Sequence, residues 1–335
     1  MQLFINTPGA KLRKCNGLIE VTIDENKEQY ACNKINQIVI STSASLTTDV
    51  LELAMENNID VVFLKRNGSP FGRVWYAKLG SISTIRRLQL KLIDIPMGTI
   101  LVKEWINQKL LNQIKHLEKL KLNRTGEKEC LLDNAISRIE KLRQNVLSVD
   151  NKPIASVRNT IEGFGGTAGR CYFGALGAVI PEQYAFSGRN KNPSEDMFNC
   201  MLNYAYAILY SNVEKACILS GLDPYIGIMH VDNYKKTSMV FDIIEMYRGY
   251  MDEVVFKLFS KRLVRKEMFD IEKSSYWLNR EGKQLLIQQI NERLSERIRY
   301  KGKLTVLKNI IELDCHSIAN KILEEAEQNA GLGCV

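Results

Sequence analysis

The chain has 335 residues, of which 45% are hydrophobic, and a formal net charge of +8. This length and apolar content suffice for two globular domains, each with its own core. No segment has the length and apolar character of a membrane span, and the first residues lack the layout of a secretory signal, so we expect a cytoplasmic protein. The eight cysteines form no C-x-x-C pair, which argues against a zinc knuckle and a secreted disulfide framework.

Residues 1–80 have the pattern of a small β-sheet or sandwich. Five short β-prone segments are separated by polar turns, and the Asn-Gly pair at Asn67 indicates a hairpin. One helix interrupts them, with Thr47 or Thr48 as its N-cap. This region contains no clustered acids, histidines or phosphate-binding glycines. We therefore predict a β-rich scaffold and dimerisation domain.

From about Gly80 the apolar residues recur at three- and four-residue spacing, which is typical of amphipathic helices. We assign residues 84–328 to a larger all-α catalytic domain, so the predicted fold class is α+β. His116 falls among lysines on one of these helices, and we expect it on the surface without a role. The segment after Leu304 predicts one more amphipathic helix with a mobile end.

The positive charge is concentrated in the segment from Lys257 to Lys303, which has 13 Lys or Arg and 6 Asp or Glu residues. A polyanion such as nucleic acid is one partner that this segment would suit. The other interpretation is a solvated basic helix face. The charge of this segment alone does not distinguish a nucleic-acid-binding surface from a solvated helix face.

A glycine-rich segment follows Glu162 and ends before Arg170 and Tyr172. It matches neither a phosphate-binding loop nor a dinucleotide fingerprint, because the required lysine, strand and ribose-binding acid are missing. A nucleotide site is therefore disfavoured. Tyr172 could pack in the core or position a bound polymer such as DNA, and we favour the core.

Two acids lie within an apolar helical run that ends near Arg248. Asp242 and Glu245 are three residues apart, so both carboxylates project from one helix face that we expect to be enclosed. Buried carboxylates need a cation beside them. Arg248 is one candidate, and a divalent metal shared with His230 is the other, because imidazole and carboxylates together suit Mn²⁺ or Mg²⁺.

Several of these motifs occur in an order found in one known family. The succession "IEG", "AGRCYFGAL", "FSGRNKNPSED", "GLDPYIGIMH" and "SMVFDIIEMYR" resembles the C-terminal domain of the CRISPR-associated integrase, the larger protein of the spacer-acquisition pair. The earlier segments "NGSPFGRV" and "RRLQLKL" resemble that family's transition from the β domain to the helical domain. The resemblance covers roughly Asn67 to Arg248.

The resemblance implies a metal-dependent DNA integrase and endonuclease that inserts new spacers into a CRISPR array by attack of a 3′ hydroxyl on a repeat phosphodiester. Its metal ligands would be Glu162, His230 and Glu245, with Asp242 beside them as a further catalytic residue. The metal would be Mg²⁺ or Mn²⁺. Ten residues separate Glu162 from Tyr172, three more than the resemblance implies, and we interpret this as an insertion among the glycines.

The resemblance also implies a set of partners. Arg170, Lys235 and Arg248 are expected to contact DNA phosphates, which would make binding dependent on salt and largely independent of sequence. The expected partners are double-stranded DNA as prespacer and repeat, a second copy of the chain in a homodimer, and a small ferredoxin-like protein. A metal-dependent repair nuclease and a non-catalytic DNA-binding subunit are the alternatives.

Overall fold

The structure, a computed structural model, divides the chain into two compact units. The first comprises Met1–Lys78, Lys191–Ser211 and Val264–Glu292, and the second comprises Leu79–Asn190, Asn212–Leu263 and Arg293–Val335. Two segments that we assigned to the helical domain thus cluster with the β-rich unit. The residues that the structure describes are 2–35, 37–57, 59–66, 68, 70–74, 82–190, 193–232 and 236–331.

The first unit contains two four-stranded sheets and one helix from the N-terminal part of the chain. The elements are β1 (Gln2–Ile5), β2 (Ala10–Cys15), β3 (Leu18–Ile23), β4 (Asn26–Tyr30), β5 (Gln37–Ile40), β6 (Ala44–Leu46), α1 (Thr48–Glu56), β7 (Asp60–Leu64) and β8 (Pro70–Val74). In one sheet the strand order is β1-β5-β7-β8, and only the last pair is antiparallel. In the other sheet the order is β4-β3-β2-β6, and only the last pair is parallel. The antiparallel pairing of β7 and β8 confirms the predicted hairpin, although Asn67 itself lies outside the described residues.

Side-chain alternation explains how these sheets share a core. In β2, Ala10 and Leu12 are buried while Lys11 and Arg13 are exposed, as expected of a strand with one face in solvent. All of β5 is buried, because its successive side chains enter two separate apolar clusters. The β-rich N-terminal prediction is confirmed.

Two β-hairpins later in the chain were not predicted, so the segment 84–328 is not all-α. Both close through two-residue turns with positive φ at both positions, Lys273 and Ser274 in the first, Lys301 and Gly302 in the second. Positive φ at both positions is characteristic of type I′ turns, in which Asn-Gly and Asp-Gly are the usual residues. Neither of these two pairs has that sequence. The strands are β9 (Phe269–Glu272), β10 (Ser275–Leu278), β11 (Arg297–Tyr300) and β12 (Lys303–Val306).

Helices make up most of the second unit. The helices are α2 (Ile82–Lys91), α3 (Pro96–Lys121), α4 (Glu127–Ser148), α5 (Ile154–Val179), α6 (Met197–Leu219), α7 (Ser238–Ile244), α8 (Arg248–Ser260), α9 (Arg280–Ser295) and α10 (Leu307–Gly331), with α6 and α9 each divided between the two units. The long helices α3, α4 and α5 pack against one another, and α3 also contacts α7 and α8. In the described part of the chain, no helix is both long enough and apolar enough to cross a membrane.

The surface position predicted for His116 is wrong. The side chain is buried between α3, α5 and α8, with Nδ1 2.6 Å from the Tyr172 hydroxyl and its ring edge-on to Phe256. Burial and the nearby charges of Lys119 and Arg124 lower the pKa of His116 to about 3. The lysines next to His116 in the sequence do not indicate that it is exposed, because a helix presents adjacent residues to different faces. Tyr172 is fully buried, as predicted.

Candidate active site

Asp242 organises the segment that carries His230. Its carboxylate is fully buried on α7, and Oδ2 accepts hydrogen bonds from the backbone N–H groups of Ile228 and Met229 at 2.6 and 3.0 Å. Oδ1 accepts the backbone N–H of His230 at 2.9 Å and lies 2.6 Å from its ring Nδ1. A buried carboxylate is stabilised by such a set of donors. Asp242 therefore fixes both the backbone and the ring of His230.

The orientation of the His230 ring follows from this contact. When Nδ1–H donates to a carboxylate, the neutral ring keeps its lone pair on Nε2. The His230 side chain is 38% exposed, in contrast to the enclosed carboxylate behind it. This is the arrangement in which carboxylate-bound histidines ligate metals through their second nitrogen.

Gly227 allows the loop before His230 to approach α7. A Cβ atom at this position would lie 2.5 Å from the Cβ of Ser238 and would also overlap the His230 carbonyl oxygen. The N–H of Gly227 donates to Oδ1 of Asp232 at 2.8 Å. Only glycine fits this close approach of two backbone segments.

Glu245, directly after α7, is enclosed between two cations. Its Oε2 lies 2.7 Å from Nζ of Lys109 on α3, and its Oε1 lies 2.9 Å from Nε of Arg248. Burial raises the pKa of the Glu245 carboxyl, but the charges of Arg248 and Lys109 outweigh it and hold the pKa at about 2. His230 lies within electrostatic range of the same carboxylate. The structure thus contains the Arg248 ion pair that the sequence offered as one explanation of the buried acids.

Two residues near the site were not identified from the sequence. Lys109 contacts Glu245 from a helix that is distant along the chain, and Arg158 on α5 donates from Nη2 to the carbonyl oxygen of Ile228 at 3.1 Å. Spacing rules find only partners within one helix. No local signal distinguishes these two cations from their neighbours.

Glu162 lies on α5, four residues after Arg158, and its side chain is exposed. Residues four apart share one helix face, so the Arg158 contact turns this face of α5 towards the segment that precedes His230. The helix is continuous from Ile154 to Val179, so the whole segment between Glu162 and Tyr172 is regular helix. Over ten residues a helix rotates the starting position by about 80° from the end position. Glu162 accordingly occupies a different face from the buried Tyr172.

Among the residues that the structure describes, no three His, Cys, Asp or Glu side chains are grouped closely enough to hold a metal ion. His230 and Glu245 lie near each other, while the exposed Glu162 side chain is not grouped with them. Imidazole Nε2 with carboxylate oxygens is a donor set that suits Mg²⁺ or Mn²⁺. The residue types suit a divalent cation, but the structure does not group the three side chains, so the three-ligand site stays a prediction.

The residues expected to contact DNA occupy different settings. Arg170 is exposed on α5 and donates from Nη2 to the hydroxyl of Thr167 at 2.9 Å. Arg248 is partly buried by its contact with Glu245. Lys235 lies outside the described residues.

Comparison with known proteins identifies the family. The family model described as CRISPR associated protein Cas1 matches residues 3–292. A CRISPR-associated endonuclease Cas1 from Archaeoglobus fulgidus is 32% identical over 95% of both chains. A CRISPR-associated protein Cas1 from Methanobrevibacter ruminantium is 28% identical and covers 87% of this chain and 86% of its own.

Solved structures share the fold at lower identity. A casposase bound to its integration product superposes with a TM-score of 0.80 at 20% identity, covering 97% of this chain and 91% of that one. A Cas1 protein from Thermotoga maritima gives a TM-score of 0.79 at 18% identity, with 96% and 97% covered. These likenesses confirm the predicted succession of a β-rich region and a helical domain. The chain belongs to the CRISPR-associated protein Cas1 family, which confirms the family and the enzyme class, a DNA endonuclease and integrase, that its motifs predicted.

Proposed function

We propose that this chain is a metal-dependent DNA integrase that joins the 3′ hydroxyl of a short DNA fragment to a phosphodiester in a CRISPR repeat. Glu162, His230 and Glu245 would hold Mg²⁺ or Mn²⁺, and Asp242 would position His230. The observation that carries this proposal is the hydrogen-bonded attachment of His230 to the buried Asp242, which engages Nδ1 and leaves Nε2 as the ring nitrogen for a cation. Such an attachment is typical of metal-ligating histidines.

When bound, the cation would polarise the phosphodiester and favour ionisation of the attacking hydroxyl. The chain's own residues supply the rest. The surrounding cations keep Glu245 ionised, so it is ready to ligate without losing a proton. Glu162 is exposed on α5, one turn after Arg158, which bonds to the carbonyl oxygen of Ile228, and under this proposal it would reach the cation by a change of side-chain rotamer.

DNA and protein partners belong to the same proposal. Arg170, Lys235 and Arg248 would contact phosphates, and a homodimer would act with a small ferredoxin-like partner on double-stranded DNA, the prespacer and the CRISPR repeat, in the cytoplasm. Two comparisons support DNA and a partner protein. The casposase of this fold was solved with its integration product, and the Cas6-RT-Cas1–Cas2 complex contains a chain that matches 97% of this one, over 35% of its own length, with a TM-score of 0.79.

A strand-transfer assay tests the proposal. A supercoiled plasmid with a repeat array is incubated with labelled short duplexes, Mn²⁺ and either wild-type protein or the variants Glu162→Gln, His230→Ala and Glu245→Gln. We expect labelled fragments to become covalently joined to the plasmid by wild type only. Cleavage without joining would favour a repair nuclease. If all three variants still joined the fragments, these residues would not be metal ligands, and the Glu245 carboxylate would serve only in its ion pairs.

A further inference from the structure

The cations of the basic segment between residues 257 and 303 differ in their surroundings. Arg265 and Arg293 are each paired with glutamates. The hairpin formed by β11 and β12, here called the basic hairpin, carries four more cations and no acid. None of these four forms an ion pair with a residue that the structure describes. They are Arg297, Arg299, Lys301 and Lys303.

One face of the basic hairpin is open to a partner. Side chains alternate along a strand, so Arg297 and Arg299 project from the same face of β11, about 7 Å apart. The register places Leu304 opposite Arg299, and Leu304 is 71% exposed. Both arginines are exposed, as are Lys301 and Lys303. The four charges therefore lie at the surface and do not support the packing of the core.

The other face fixes the hairpin to the protein. Tyr300 donates its hydroxyl to Asp314 of α10, and the same carboxylate accepts the hydroxyl of Tyr247 at 2.6 Å. At the base of the hairpin, the N–H of Leu307 donates to the carbonyl oxygen of Glu296 at 3.0 Å. Cations on an anchored backbone can bind a partner without the entropy cost of ordering a loop.

The basic hairpin also lies beside the candidate active site. Ile298 and Tyr300 line one cavity together with Met246, which directly follows Glu245 in the chain. All four residues belong to the second unit. A partner bound to the hairpin is therefore held close to the segment that carries Glu245.

Double-stranded DNA is the partner that this surface fits best. Four positive charges without acidic partners suit a polyanion. The major groove of B-DNA, about 12 Å wide, admits a two-stranded β-ribbon. An acidic protein would also need apolar contact at the centre of its interface, and the hairpin exposes one large apolar side chain, Leu304. DNA is also the substrate of the enzyme class to which the family belongs.

We propose that the basic hairpin is a DNA-binding arm that holds a duplex beside the candidate active site through contacts of its arginines and lysines with phosphates. This arm rests on the DNA substrate of the proposed function and requires no metal ion. Its contacts add to those expected of Arg170, Lys235 and Arg248. Phosphate contacts position a duplex and do not read its sequence, so the arm should bind duplexes of any sequence.

The test is a fluorescence-anisotropy titration of a labelled short duplex with the full-length protein, in EDTA, at several salt concentrations. One variant combines Arg297→Gln with Arg299→Gln, and a second combines Lys301→Gln with Lys303→Gln. We expect each variant to bind the duplex at least about ten-fold more weakly than wild type at low salt. The slope of log affinity against log salt should become shallower by about 1.8, which is about 0.9 for each lost phosphate contact.

Lys121 and Lys152 provide a matched control in the same unit. Their side chains are 35% and 64% exposed, and they pair with Asp133 at 2.7 Å and with Asp150 at 2.9 Å. A variant that combines Lys121→Gln with Lys152→Gln also removes two positive charges but leaves the hairpin intact. It should bind the duplex with the affinity and the salt dependence of wild type.

The outcomes separate the DNA-binding arm from the integrase proposal. If both hairpin variants bind the duplex as wild type does, the arm is refuted, and an acidic protein becomes the partner that the hairpin suits. If the control variant weakens binding as much as they do, the effect is one of general charge and the arm is again refuted. If wild type needs the hairpin to bind DNA in EDTA but joins no fragment in Mn²⁺, the integrase proposal fails and the arm stands.

Discussion

Replacement of Asp242 by Asn should destabilise the protein and release His230. The carboxylate accepts three backbone N–H groups and contacts the Nδ1 of His230, all at 2.6 to 3.0 Å, in a fully buried position. An amide of the same shape places an NH₂ group against either the two donors at Oδ2 or the two at Oδ1. Each buried donor that loses its acceptor costs about 1–3 kcal/mol. We expect the free energy of unfolding to fall by about 2–5 kcal/mol.

Denaturant unfolding followed by circular dichroism measures this change. Glu162→Gln is the matched control, because it makes the same carboxylate-to-amide change on an exposed side chain and should leave stability within about 0.5 kcal/mol of wild type. The same Asp242→Asn protein should bind Mn²⁺ at least about ten-fold more weakly, because loss of a group that orients a ligating histidine typically has this effect. If Asp242→Asn were as stable as wild type, the proposed anchoring of His230 would be wrong.

Three further predictions concern separate features. Glu162→Gln should abolish tight Mn²⁺ binding in calorimetry while its unfolding curve stays that of wild type; weakened stability with intact Mn²⁺ binding would contradict the ligand role. Gly227→Ala should cost about 1–3 kcal/mol in denaturant unfolding and lower strand transfer, because its Cβ would overlap Ser238, and an unchanged protein would contradict the close approach. His116→Gln should make the loss of stability in acid less steep. The pKa of His116 is about 3 in the folded protein and has its ordinary value in the unfolded chain. The unfolded state of wild type therefore binds one more proton than the folded state between about pH 6 and pH 3. Stability measured against pH should thus fall less steeply for the variant as the pH drops through this window, and parallel curves would contradict the buried neutral ring.

Burial of the two acids could be predicted from local sequence. Asp242 and Glu245 are both buried, as their apolar neighbours indicated, and Arg248 contacts Glu245 as the three-residue spacing allowed. Local spacing could not show that a second cation, Lys109, approaches from α3. It also could not show that Asp242 acts mainly on the backbone before His230, because hydrogen bonds between distant segments leave no periodic trace in a sequence.

The fold shows a similar division between local and non-local information. Strand alternation and helical spacing were sufficient for the two classes of structure, because each reflects which side of an element faces the core. The two late hairpins were missed because the Lys273-Ser274 and Lys301-Gly302 turns lack the usual residues for positive φ. His116 was misplaced because its environment is decided by Tyr172 and Phe256, which lie on other helices.

Diffraction from crystals grown with Mn²⁺, recorded at a wavelength where manganese scatters anomalously, would locate the cation. We predict one anomalous peak in contact with Nε2 of His230, a carboxylate oxygen of Glu245 and a carboxylate oxygen of Glu162. A protein in which Glu245 keeps both of its ion pairs, and in which no peak lies beside His230, would contradict the three-residue metal site on which the proposed integrase depends.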